Sequence, residues 1–180
     1  MKSKNLETRD YAMSGMSIWK AMLDHGRKRP KAERGPLRIR WGDRVVQTAD
    51  VFEAPRNGTI WLECIRAVGA VRQGFDVKMN GGCVLGTGEV VPILRTWCDA
   101  EYEPVVEYEY RADDGLISTW NVYEVDRGTE VVPEKWTGNA GFWIEAVTPF
   151  DRIYHCSGGS CSTPDFESLV YRVTVTGAVV

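Results

Sequence analysis

His155 and Cys156 are adjacent, and four small residues, Ser157-Gly158-Gly159-Ser160, separate them from Cys161. Two thiolates and an imidazole are zinc ligands of suitable softness, and Cys83 or Cys98 would supply a fourth. A structural zinc site usually shows two close ligand pairs, and only one pair is present, so no metal is expected. Nucleophilic catalysis would need a base beside the thiol. In an extended segment neighbouring side chains point to opposite faces, so His155 cannot readily activate Cys156. His155 would reach Cys161 only if the loop doubled back, with the Ser-Gly-Gly-Ser amides forming an anion-binding nest. The preferred reading is a strand end at Ile153, Tyr154 and Cys156, followed by a loop whose small residues allow a tight reversal. The other histidine, His25, has no evident orienting partner.

Carboxylates form a second pattern. Glu101 and Glu103, then Glu107 and Glu109, are each two apart, so within a strand each pair projects from one face, about 7 Å apart along the chain. Asp113 and Asp114 extend the charge. Interleaved with Tyr102, Tyr108, Tyr110 and Trp120, such an array suits a basic groove, in the manner of a nucleic-acid mimic. The competing reading is a solvated strand face kept acidic for solubility and edge protection.

The opposite charge gathers near the amino terminus. Residues 1–48 hold 12 Lys and Arg against 5 Asp and Glu, whereas residues 99–135 hold 3 against 11. Arg27, Lys28, Arg29, Lys31, Arg34, Arg38 and Arg40 would contact a nucleic-acid backbone electrostatically, but a pI near 5.5 is wrong for a dedicated binder. The basic segment is equally suited to the acidic region of its own chain or of a second copy. Trp136 and Trp143 flank Gly138-Asn139-Ala140-Gly141, a loop fit to cover a base or sugar, with a plain turn as the simpler reading. The glycines of "MNGGCVLGTGEV" lack the lysine of a phosphate loop, and no GxGxxG is present.

These residues need a scaffold. Apolar and charged fractions of 43% and 26% describe a globular chain, and 180 residues suit one domain with a real core. No apolar leader or membrane span is visible, so a cytoplasmic location is expected, and in that reducing setting five cysteines read as thiols. Seven tryptophans exceed what a core of this size commonly uses, and amphipathic rings also serve recognition.

A helix is expected over "SGMSIWKAMLDHG", capped by Ser14, ended at Gly26 and burying Met16, Trp19, Met22 and Leu23. A second helix is expected from about Ile60 to Arg72, because Trp61, Cys64, Ile65, Val68 and Val71 recur at helical spacing. Leu37, Ile39 and Trp41 alternate with Arg38 and Arg40 as in a half-buried strand, and Leu169, Tyr171, Val173 and Val175 alternate likewise. Residues 105–124 read as a hairpin about the loop Asp113-Asp114-Gly115, with Tyr108 facing Trp120 and Val106 facing Val122.

The expected fold is α+β: a mainly antiparallel twisted sheet or partly open barrel with two short helices in the N-terminal half. Residues 1–36 would form the helix and basic arm, and 37–180 the sheet domain. The expected function is a non-enzymatic inhibitor or adaptor docking its acidic, aromatic hairpin (Glu101, Glu103, Glu107, Glu109, Asp113, Asp114), with Trp136 and Trp143, onto a basic macromolecular partner such as a nucleic-acid-handling protein. The alternative is an enzyme or nucleotide-binding protein using Cys156, Cys161 and His155 under the Trp136–Trp143 loop. No cofactor is expected.

Overall fold

The computed structural model describes residues 9–31, 35–99 and 103–177. One helix, α1 (Ile18–Lys28), precedes eleven strands: β1 (Arg38–Trp41), β2 (Arg44–Gln47), β3 (Asp50–Glu53), β4 (Asn57–Ala67), β5 (Gln73–Val84), β6 (Val90–Trp97), β7 (Val105–Asp126), β8 (Val131–Glu134), β9 (Gly141–Thr148), β10 (Asp151–Ser157) and β11 (Leu169–Gly177). They pair antiparallel in the order β1-β2-β9-β10-β11-β4-β7-β5-β6, with β3 and β8 also on β7. The protein is therefore mostly β, a curled antiparallel half-barrel with one helix, which corrects the α+β expectation.

The expected second helix is β4. Its residues alternate, with Ile60 and Leu62 buried inside and Trp61 and Glu63 outside, and it lies between β11 and β7. Thr59, Ile60, Trp61 and Ile65 are β-branched or aromatic, types that fit a pleated surface. The helical spacing was carried by Val68 and Val71, which lie beyond the strand end.

The expected hairpin is also corrected, because residues 105–126 run on as one strand. Ala112 faces Gly81 and Ile117 faces Met79, so β7 inserts Asp113–Leu116 opposite Asn80 as a large bulge. Gly115 does take the left-handed conformation expected of it (φ +71°), and Leu116 N–H donates to Asp114 Oδ1. The bulge serves a bend, however, and not a reversal. At the same corner, Ala54 N–H donates to Gly115 O and Ala112 N–H to Arg56 O, where the chain turns from β3 into β4. Inward positions change parity across the bulge, from Tyr110 and Ala112 to Ile117 and Thr119, which puts Trp120 and Val122 on the outer side.

Curling brings distant strands together across the concave side. Phe75 on β5 stacks on Tyr171 of β11 with centroids 4.0 Å apart, although β4 and β7 lie between those strands in the sheet. Tyr154 continues the stack at 4.6 Å and Phe142 meets it edge-on at 5.2 Å. Each ring pair adds about 1 kcal/mol beyond area burial. Asp50, fully buried at the start of β3, accepts from Gln47 Nε2, Arg152 and the Tyr154 hydroxyl, tying the turn from β2 into β3 to β10.

α1 covers a smaller second core of Tyr11, Ile18, Ala21, Met22, Ile39, Val46 and Phe166. Its cap is Ser17, whose side chain accepts from Lys20 N–H, whereas Ser14 closes the preceding turn through Tyr11 O. Trp19 and Leu23, expected in the buried stripe, are exposed, and Gly26 lies inside the helix instead of ending it.

Cys64 and Cys98 form a disulfide, so the all-thiol expectation, drawn from an expected reducing setting, fails for this pair. Their Cα atoms are 5.5 Å apart. Cys64 N–H donates to Pro104 O, just before β7, while Cys98 N–H donates to Gln73 O, whose residue pairs with Tyr123 near the far end of β7. The cross-link thus pins together the two ends of the bent β5–β7 ribbon. Reduction is expected to lower unfolding stability by about 3–4 kcal/mol, the loop-closure value for a 34-residue separation, measured by denaturant melts with and without reductant. An unchanged midpoint would show that the staple is idle.

Candidate interaction face and the loops around it

The small-residue loop after β10 is architectural. His155 lies on the outer face, stacked on Trp143 at 4.0 Å and 3.2 Å from Glu145 Oε2 through Nε2. Cys156 points into the core and is fully buried. Burial, reinforced by the Asp165 carboxylate, pushes its thiol well above the ordinary range, and burial alone pushes Cys83 up to about 11. Cys98, one proposed fourth zinc ligand, is in the disulfide, and no group of three or more His, Cys, Asp or Glu suited to a metal is found among the described residues.

Asn139 explains the two glycine loops together. Its Oδ1 accepts the Ile18 N–H at the start of α1, and its Nδ2 donates to Cys161 O and Ser162 O. Trp19 N–H donates to Gly138 O, so the loop between Trp136 and Trp143 seats the helix. A Cβ on Gly159 would lie 1.9 Å from the Tyr123 hydroxyl oxygen, and one on Gly138 2.2 Å from Gly159 O. The loops contain glycine because backbone meets backbone and ring there. Trp136 and Trp143 part company. Trp136, at φ +60°, turns onto Trp120 with Lys135 Nζ over both rings, while Trp143 lies between His155 and Arg44.

Cys161 borders a cleft of about 220 Å³ with Val68, Gln73, Tyr123, Asp165 and Ser168. In this cleft Gln73 Nε2 donates to Val68 O and Ser168 O, and the Ser168 hydroxyl bonds Asp165. Asp76, buried on the other side of the sheet, is engaged by Arg95 Nε and Nη2 and by Trp120 Nε1. No motif announced Asp50, Asp76 or Asn139, because their partners lie far away in sequence.

The predicted carboxylates separate into three groups. Glu101 lies outside the described residues, and Glu103 is exposed beside the disulfide. Asp113 pairs with Arg111 at 2.8 Å and Asp114 closes the bulge, so neither extends an acidic tip. Glu107 and Glu109 stand exposed on outer β7, opposite Trp61 and Thr59 of β4. Trp61 Nε1 donates to Glu107 Oε2 at 2.9 Å. Glu63 joins this face beside Arg172, which is held by Asp151 in a bidentate pair and reaches Glu63 only at 4.0 Å. Glu63 lies in the segment whose apolar spacing predicts a helix, and the alternation from Thr59 to Glu63 is the sequence signal for its place on this face.

Compared with protein-family models, with curated proteins and with solved structures, the chain matches none. What fold and site define together is a class: a half-barrel β protein with an acidic outer sheet face.

Two outcomes follow from the loop geometry. At pH 8, alkylation of the native protein is expected to label Cys161 and spare Cys83 and Cys156, read by peptide mass mapping; equal labelling would contradict their burial. Gly159→Ala is expected to cost about 1–3 kcal/mol in thermal or denaturant unfolding, the usual penalty for overpacking.

Proposed function

We propose that the protein is a non-catalytic interaction module, an inhibitor or adaptor, whose acidic β4–β7 face docks onto a basic surface of a macromolecular partner. The observation that carries this reading is the placement of Glu63, Glu107 and Glu109 on one exposed face of two paired strands. A sheet flanked by β11 and β5 holds these carboxylates at fixed spacing, so little side-chain order need be lost on docking beyond their own rotamers. Charge in this arrangement acts chiefly on encounter rate and partner choice. The aromatic contribution expected from Trp120 passes to Trp61, whose indole is tethered to Glu107.

The test is charge reversal. Glu107→Lys with Glu109→Lys is expected to weaken capture of the native partner about tenfold or more and to flatten the salt dependence of binding, read by titration of the co-purified partner. Unchanged affinity and salt slope would overturn the reading.

A further inference from the structure

The face just described has a counterpart on the same chain. On α1, Ile18, Ala21 and Met22 point into the second core, so the helical period turns Trp19, Leu23, Lys20 and Arg27 outward together. Trp19 and Leu23 are each 43% exposed, an unusual position for a large ring and a leucine one turn apart. Lys20, Arg27 and Lys31 are exposed and have no acidic partner among the described residues, whereas Arg9 and Lys28 are both engaged by Asp24. The result is an apolar centre with a basic rim.

The β4–β7 face has the complementary composition. Ile65 and Val105 are exposed there, at 48% and 47%, beside Glu63, Glu107 and Glu109. Arg66 lies at its margin and Arg172 is committed to Asp151. Along the sheet, β2, β9, β10 and β11 lie between β1 and β4, and no ion pair among the described residues joins the two patches. Among the described residues, Arg9 and Lys28 pair with Asp24 and Arg44 with Asp43.

We propose that a second copy of this chain is a partner of the acidic face, docking through the exposed side of α1. The inference rests on the docking role assigned above to that face and names the basic surface it meets. A single contact of this kind is heterologous and leaves the basic patch of one copy and the acidic patch of the other free, so assembly proceeds head to tail into a ring or an open chain unless a two-fold axis closes both contacts at once. Rim charges contribute modestly, so the association is weak, dependent on concentration and sensitive to salt.

Sedimentation velocity of the purified chain across concentration and salt tests this. The wild type is expected to associate at low salt and to dissociate at on the order of 1 M salt, where the screening length falls to about 3 Å. Glu107→Lys with Glu109→Lys, and separately Lys20→Glu with Arg27→Glu, are each expected to raise the dissociation constant about tenfold or more. Mixing the two variants is expected to restore association, since each then offers the other a complementary patch; a merely misfolded variant would not be rescued. A wild type that stays monomeric at all salts overturns the inference without touching the preceding reading, which has its own pull-down. Variants that associate as the wild type does also overturn it.

Discussion

A strand of 22 residues would extend about 70 Å if straight, while a domain of this size has a radius of gyration of about 16 Å. β7 therefore has to bend, and the rest of the architecture is arranged around that bend. The bulge at Asp113–Leu116 divides the strand into a half that pairs with β4 and a half that pairs with β3. β5 follows on the other edge, changing register across Asn80 and Gly81. Once the ribbon curls, Phe75 reaches Tyr171 over the concave side, the ring stack fills the interior, and the ends of β7 come near enough for Cys64 to meet Cys98.

The same bend allocates polar groups between the two sides of the sheet. Across the bulge the inward parity changes, so Trp120 leaves the core and its indole N–H finds Asp76 on the outer side. That carboxylate is buried and tolerable there because Arg95 supplies two charge-assisted hydrogen bonds. Several tryptophans that looked like surplus recognition surface thus have local duties. Trp97 lies under Arg72 and Arg95, Trp120 under Lys135, and Trp143 between His155 and Arg44. Trp19 and Trp61 remain on the two patches of opposite charge.

The helix and the glycine loops belong to a second layer of organisation. Asn139 holds the first turn of α1 and the loop after β10 at once, so the amino-terminal segment is seated by residues more than a hundred positions away. This fixes Lys20 and Arg27 at one end of the sheet order and the carboxylates of β7 near the other. The separation turns an overall mild charge into two distinct patches, which explains why a pI near 5.5 says little about either surface.

Alternation was legible wherever a strand buries one face and solvates the other: Ile39 between Arg38 and Arg40, and Leu169 to Val175 on β11, lie as their pattern predicts. The outward display of Glu107 and Glu109 and the left-handed Gly115 were legible for the same reason, since both are properties of a few consecutive residues. What the chain order alone did not decide was direction and partnership. An Asp-Asp-Gly stretch with a left-handed glycine serves equally in a hairpin loop or in a bulge, and only pairing with β3, β4 and β5 selects the latter. The helical spacing of Trp61 to Val71 was overridden because β4 gains two strand neighbours, β11 and β7, that an isolated segment lacks. The disulfide, the buried carboxylates and the Asn139 clamp are contacts between remote residues, and remote contacts exist only once the sheet has curled.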